Sequence, residues 1–170
     1  KDMLDVATSF YKELFSFETR PDIHLDADFW ATDEMVSDEE REFLERSFSE
    51  DEIKQAIMSS YASGAPGPDG LSFLFYQTFW DLIKNDFMWM VRDFKNGALD
   101  MYKLNYAIIT LIPKVPLARD MKFFRPISLS KCVVNIFSKA MTTRVSPLCD
   151  KLISPNQTVF IKGRFILECV

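Results

Sequence analysis

The chain has 170 residues, of which 48% are hydrophobic and 26% are charged, a composition typical of a folded globular domain. No apolar run approaches the roughly 18–20 residues that a transmembrane helix needs, so the sequence predicts no membrane partner. One histidine and three widely spaced cysteines exclude multi-histidine metal sites, zinc clusters and disulfide frameworks.

The net charge of −5 is unevenly distributed along the chain. Residues 1–60 carry 17 acidic and 6 basic side chains, whereas residues 101–170 carry 3 acidic and 11 basic ones. This asymmetry predicts that only the basic half faces polyanions. A solvated surface of uneven charge, without a polyanionic partner, is the alternative that the charge pattern leaves open.

The acidic part of the chain is predicted to be helical. Apolar residues recur at helical spacing over 2–16, whereas 17–36 lose that period and are predicted to be a connector. Ser37 and Ser49 are each followed three residues later by Glu, the pattern of a capping box, so each is predicted to begin a helix. The carboxylates at these two positions are interpreted as partners of the helix dipole, not as a metal site.

The segment GAPGPDG at 64–70 is predicted to be a shaped loop, because three glycines and two prolines fit neither a helix nor a central strand. It lacks the Gly-Lys-Ser/Thr ending of a P-loop, so it does not predict that kind of phosphate site. A helix is predicted over 72–96, with Asn96-Gly97 as its C-terminal cap.

The basic half is predicted to contain a β-hairpin followed by a helix. One strand covers 106–112 and ends at Pro113, and a second covers 123–129, where Pro126 would restrict it to an edge or an irregular piece. The helix covers 131–148. Its apolar stripe consists of Val133, Phe137, Met141 and Val145. The order of helices, hairpin and helix predicts an α+β fold dominated by helices.

Two cations of the predicted hairpin, Lys114 and Arg125, lie across from each other. Arg offers a bidentate fork to phosphate and Lys a point charge, so the pair could clamp a triphosphate. Sheet edges also often carry Lys to block aggregation, so two surface cations without a ligand are the alternative.

A second candidate group combines an amide, an aromatic ring and cations, which suits nucleic acid. It consists of Gln157, Phe160, Lys162 and Arg164. Carboxylates, by contrast, are scarce here. Nucleotidyl transfer by two metals needs at least two acids at one point, but residues 101–170 contain only Asp120, Asp150 and Glu168, far apart in sequence. The sequence therefore predicts no metal ligands and no catalytic residues.

Read in order, four motifs resemble the reverse transcriptase of LINE-type non-LTR retrotransposons, especially those of plant genomes. They are GAPGPDG with FYQTFW close behind it, LNYAIITLIPKV, FRPISLS, and ISPNQTVFIKGR. The resemblance covers 50–170 and implies an incomplete right-hand polymerase, with the fingers and the start of the palm. Residues 1–49, with SFYKELF, are similar to the helical connector between endonuclease and polymerase in that family.

The resemblance also implies roles for individual residues. Lys114 and Arg125 would meet the triphosphate of an incoming deoxynucleotide, which favours the clamp over the two surface cations. The first motif would lie near the template strand, through Gly67, Pro68, Asp69 and Gly70. The last motif would contact nucleic acid where fingers and palm join, through Gln157, Phe160, Lys162, Gly163 and Arg164.

The partners implied by the resemblance belong to the complete enzyme. They are an RNA template, a DNA primer, a deoxynucleoside triphosphate and the palm and thumb of the same polyprotein, whose aspartates would bind Mg²⁺. An intracellular location, in the nucleus, would be consistent with this family.

The sequence also departs from the family, with Val134-Asn135 where Tyr-Lys is usual and Glu168-Cys169 where Asp-Asn is frequent. These departures suit a decayed copy of the element and equally suit variation between subfamilies, so a decayed copy is one alternative. A non-catalytic module that binds RNA or an RNA–DNA duplex is another, and a structural interaction domain with solvated cations is a third.

Overall fold

The computed structural model describes residues 2–16, 24, 35–154 and 156–165. In this part of the chain helices dominate and a single two-stranded sheet is present, so the predicted helix-rich α+β class is confirmed. The helices are α1 (Met3–Leu14), α2 (Asp38–Glu45), α3 (Glu50–Met58), α4 (Phe73–Thr78), α5 (Trp80–Lys95), α6 (Met101–Leu104), α7 (Cys132–Val145) and α8 (Cys149–Leu152). The strands are β1 (Ala107–Pro113) and β2 (Phe124–Ser130).

The predicted helix starts at Ser37 and Ser49 are confirmed, with complete capping boxes. Each serine hydroxyl accepts the backbone N–H of the glutamate three residues later, and the glutamate carboxylate accepts the serine N–H in return. Both boxes depend on neighbours in sequence, which is why the pattern was sufficient to predict them. The predicted connector over 17–36 falls almost entirely outside the described residues.

The helix predicted over 72–96 is two helices, since α4 and α5 are separated at Phe79, whose φ is −105° and ψ 16°. No Gly or Pro marks the break. The residues before it are rich in aromatics, which lose side-chain freedom in a helix and are only moderate helix formers. The predicted cap is confirmed, because Asn96 ends α5 and Gly97 follows with a φ of +67°.

By contacts, the chain divides into two compact units, Lys1–Phe29 with Ile109–Ser128, and Trp30–Ile108 with Leu129–Val170. In the first unit, α1 and β1 line an apolar groove of about 600 Å³, into which Ile109 and Leu111 contribute from the strand. These units do not test the predicted division at residue 49, which stays a prediction.

The second unit has an aromatic and aliphatic core built from α3, α4, α5 and α7. Ile53 and Ile57 of α3 and Ile136 of α7 are completely buried. The ring of Phe137 stacks on Phe94 with 4.7 Å between centroids. α7 thus supplies the middle of this core.

No helix in the described residues is both long and apolar enough to cross a membrane.

Candidate nucleic-acid interface

The hairpin is antiparallel and its register can be fixed from one hydrogen bond. The Lys114 N–H donates to the Phe123 carbonyl over 2.7 Å, immediately beyond the ends of β1 and β2. Both strands have seven residues. In a regular antiparallel ladder this bond pairs Pro113 with Phe124 and Ile112 with Arg125.

In this register the side chains of Lys114 and Arg125 lie on the same face of the hairpin. Arg125 is opposite Ile112, and Lys114 follows Ile112 by two residues, so its side chain returns to the same face. Diagonal neighbours of this kind are roughly 7–8 Å apart. Both side chains are exposed. The Lys114 ammonium donates to the Lys122 carbonyl over 2.8 Å, whereas Arg125 has no side-chain hydrogen bond or ion pair with any described residue.

The register also explains how β2 tolerates a proline. Hydrogen-bonded and non-hydrogen-bonded pairs alternate along the ladder, and Pro113 and Pro126 both occupy non-hydrogen-bonded positions. Their missing N–H groups would have pointed away from the partner strand. The strand therefore continues through Pro126 to Ser130 as a regular edge strand, and each outer edge carries a proline, which hinders pairing with further strands.

The predicted loop at 64–70 is confirmed as irregular backbone. Gly67 and Gly70 close a turn, since the Gly70 N–H donates to the Gly67 carbonyl over 3.0 Å, and Gly70 has a φ of +72° that favours glycine. The Asp69 carboxylate accepts the Leu71 N–H over 3.2 Å. Pro68 is half-buried, whereas Asp69 and Gly70 are exposed. The template role of these four residues stays a prediction.

Gly67 is required for packing, a feature that the sequence did not reveal. It is buried, and a Cβ placed on it would lie 2.5 Å from the Ser130 carbonyl oxygen and 2.7 Å from the Lys131 backbone. Only a residue without a side chain fits there unless the backbone shifts. The glycine loop is therefore seated directly on the junction between β2 and α7.

The last predicted motif forms a compact loop after α8. Phe160 is fully exposed and has a φ of +67°, a left-handed conformation that is unfavourable for an aromatic residue. Lys162 is exposed, and Gly163 has a φ of +90° with open space around it. The Gln157 amide donates to the Val159 carbonyl over 3.2 Å. The loop thus presents an aromatic ring and a cation to solvent.

Arg164, in contrast, is turned inward. Its guanidinium donates to four backbone carbonyls and to the Asp150 carboxylate, over 2.6–3.4 Å, and its side chain is 12% exposed. The carbonyls belong to Cys149, Ile153, Ser154 and Gln157. The structure therefore brings together the residues of this motif, but it uses Arg164 within the loop.

Most cations of the basic half have partners inside the chain. Lys114, Lys131, Lys139 and Arg164 donate to backbone or hydroxyl oxygens, and Lys103, Lys122, Arg144, Lys151 and again Arg164 pair with carboxylates. Among the described residues of 101–170, only Arg119, Arg125 and Lys162 have cationic groups without such a partner. These three are the cations best placed to meet a polyanion.

One strong interaction could not be predicted from the sequence. Arg144 of α7 is 4% exposed and binds Glu52 through two bonds, Nε to Oε1 at 2.8 Å and a terminal nitrogen to Oε2 at 2.9 Å. It also donates to the Leu44 and Ser47 carbonyls and stacks over the Phe48 ring. This hydrogen-bonded pair holds the pKa of Glu52 at about 2, below its usual 4.5.

Comparison with known proteins finds a similarity to a protein of a transposon. No protein-family model matches it. It is 35% identical to the Transposon TX1 uncharacterized 149 kDa protein of Xenopus laevis, over 98% of this chain but 13% of that relative. The chain therefore spans a small part of the length of the relative it matches. This similarity supports the retrotransposon origin that the motifs indicated.

The described residues do not form a metal centre. They include no group of three or more His, Cys, Asp or Glu side chains that could hold a metal ion. The clustered carboxylates at the starts of α2 and α3 are occupied in helix caps, and Glu40 also binds Lys151 over 2.9 Å. The described residues thus do not fit a two-metal Mg²⁺ site, and no catalytic step is assigned to them.

Proposed function

We propose that the chain is the fingers part and the beginning of the palm of a reverse transcriptase from a non-LTR retrotransposon. It would supply contacts to the template and to the incoming deoxynucleotide. The catalytic aspartates and the Mg²⁺ ions would come from the palm of the same polyprotein. The similarity to a transposon protein supports the origin of the chain, and the four ordered motifs support the more specific assignment.

The observation that carries this proposal is the shared face of Lys114 and Arg125 on the hairpin. An unpaired guanidinium can grip two phosphate oxygens at once, and an ammonium nearby adds a second positive charge. Lys114 donates one of its three protons to the Lys122 carbonyl, so two remain for a ligand. A triphosphate fits this pair better than a single phosphate, because diagonal neighbours on two paired strands are roughly 7–8 Å apart.

The test is the Arg125→Ala variant of a complete enzyme in which this chain is joined to a catalytic palm. Hydrogen bonds to charged groups contribute roughly 1.5–3 kcal/mol each. We therefore expect the Michaelis constant for the nucleotide to rise, or turnover to fall, by about one to two orders of magnitude. Affinity for the primer–template should stay nearly unchanged.

Arg119→Ala is the matched control, because Arg119 is the other exposed and unpartnered arginine of the same hairpin segment and has no assigned role. It should leave nucleotide kinetics unaffected. If Arg125→Ala instead weakens primer–template binding with a steep dependence on salt, then Arg125 contacts the nucleic-acid backbone. That outcome would favour the non-catalytic binding module.

A further inference from the structure

An open groove lies between the outer face of α7 and the loop that carries Phe160. Its volume is about 840 Å³. Its lining combines residues of α7 with the loop residues Phe160, Ile161 and Lys162, and Lys139 is the cation on the α7 side. The lining residues include two cations and no carboxylate, so the lining suits a polyanion.

One wall of this groove is held in an unfavourable conformation. Phe160 has a positive φ and a fully exposed ring, a combination that the surrounding structure must maintain. No contact of the ring itself accounts for it. The loop is fixed instead at its base, where Arg164 reaches back to α8.

Arg164 closes the loop by donating to carbonyls of α8 and of the turn that follows it. It binds the carbonyls of Cys149, at the start of that short helix, and of Ile153, just after its end, and those of Ser154 and Gln157 in the turn that follows. The Cys149 and Ser154 carbonyls also accept the N–H groups of Ile153 and Gln157. A planar guanidinium with five N–H donors can reach several oxygens at once, whereas an ammonium group cannot match this geometry. Residues 149–164 are thereby tied into one unit.

We propose that the groove binds a single strand of nucleic acid, with an unpaired base on the Phe160 ring and a phosphate at Lys162. Arg164 is a positioning residue that holds Phe160 in place and does not touch the strand. This inference rests on the proposed function, since it takes nucleic acid as the partner of this motif. An exposed ring can stack on an unpaired base but not on one enclosed in a duplex, which selects single strands.

The experiment measures binding of a fluorescein-labelled 12-nucleotide oligouridylate to the 170-residue chain by anisotropy, at several salt concentrations. Phe160→Ala should weaken binding about tenfold with an unchanged salt slope, because it removes stacking. Lys162→Ala should reduce the slope by about 0.7, since it removes one phosphate contact. Arg164→Lys should weaken binding without changing the slope.

The decisive measurement is the double variant Phe160→Ala/Arg164→Lys. If Arg164 acts through Phe160, the double variant binds no more weakly than Phe160→Ala alone. Arg92→Lys is the matched control, because Arg92 is exposed and has no side-chain partner among the described residues, so it should bind as the unchanged chain does. Thermal unfolding of each variant shows that it is folded.

Should Arg164→Lys fail to fold, Asp150→Asn replaces it, since it removes only one partner of Arg164. Loss of a negative charge alone would strengthen binding to the oligonucleotide, whereas loss of positioning weakens it. A reduced salt slope in Arg164→Lys, or additive losses in the double variant, would overturn the positioning role alone. Unchanged affinity in both Phe160→Ala and Lys162→Ala would instead remove this groove as a nucleic-acid site and, with it, that part of the proposed function.

Discussion

Arg144 shows how much of this fold depends on one side chain. It is buried in α7, yet its guanidinium binds the Glu52 carboxylate of α3, a carbonyl in the last turn of α2 and a carbonyl between α2 and α3. Glu52 is also the reciprocal partner of Ser49 in the capping box. One carboxylate thus serves both the start of α3 and its attachment to α7.

This pair predicts a loss of stability in acid. Arg144 lowers the pKa of Glu52 to about 2 in the folded chain, against 4.5 ordinarily. A carboxylate with a depressed folded pKa stabilises the fold above its unfolded pKa, and this contribution disappears as the pH falls from 4.5 towards 2. Its size is on the order of 3 kcal/mol. Urea unfolding between pH 7 and pH 2 measures it.

Glu52→Gln isolates this contribution from that of the other carboxylates. The variant should be less stable at pH 7, because it leaves Arg144 buried without its counter-ion. It should also lose less stability than the unchanged chain between pH 4.5 and pH 2. Glu45→Gln, at an exposed position where the side chain has no partner among the described residues, should follow the unchanged chain. Parallel pH curves for the chain and Glu52→Gln would contradict the prediction.

The contrast between the capping boxes and Arg144 marks the limit of what the residues alone reveal. A capping box is complete within four residues, so its pattern predicts its structure. The residues that bind Arg144, and those that pack against Gly67, lie dozens of residues away from them in the sequence. Nothing in the local sequence distinguishes Arg144 from the solvent-exposed cations around it.

At the scale of elements, periodicity located the helices better than it located their buried faces. The stripe predicted for α7 steps by four residues, and each such step turns about 40° around a helix of 3.6 residues per turn. Val133 and Phe137 are buried, but Met141 and Val145 have rotated to the exposed side. The buried face continues instead through Ala140 to Arg144, whose charge concealed its position in the core.

The hairpin was predicted within one residue at each end, because a segment rich in Ile and Thr and the turn signals that flank it are local. The register that places Lys114 and Arg125 on one face can be tested by amide hydrogen exchange. In this register the amides of Arg125 and Ile127 point towards β1 and should be protected, whereas that of Ser128 points outward and should exchange quickly.

The same alternation should appear on β1, with Thr110 and Ile112 protected and Ile109 exchanging faster. NMR exchange rates at single residues decide the question. A protected Ser128 beside a rapidly exchanging Ile127 would mean that the ladder is shifted by one residue. Arg125 would then face away from Lys114, and the nucleotide clamp would lose its geometric basis.

For the whole molecule, the basic half is less available to nucleic acid than its composition suggests. Eleven cations occur in residues 101–170, but all except Arg119, Arg125 and Lys162 have partners among the described residues. Counting charges along the sequence could not reveal this, because the partners lie in other elements, such as Glu52 for Arg144 and Glu40 for Lys151.

The salt dependence of RNA binding measures how many cations are in contact with phosphates. For single strands the logarithm of the binding constant falls with the logarithm of salt concentration at a slope of about −0.7 per phosphate contact. Arg119 and Lys162, the two cations outside the proposed nucleotide clamp that have no partner among the described residues, predict a slope of about −1.4, and eleven phosphate contacts would give about −8. Anisotropy titrations of the chain with a labelled oligonucleotide, at salt concentrations from about 50 to about 300 mM, distinguish these two slopes.

Single substitutions then assign the slope to residues. Arg119→Ala and Lys162→Ala should each reduce its magnitude by about 0.7, whereas Arg125→Ala should leave it unchanged, because Arg125 is assigned to the nucleotide. Lys151→Ala, which removes a cation already paired with Glu40, serves as the control and should leave the slope unchanged. A slope near −8, or an equal reduction from Lys151→Ala, would mean that the internal pairs open on binding. The basic half would then act as a continuous polyanion surface, as its composition alone had suggested.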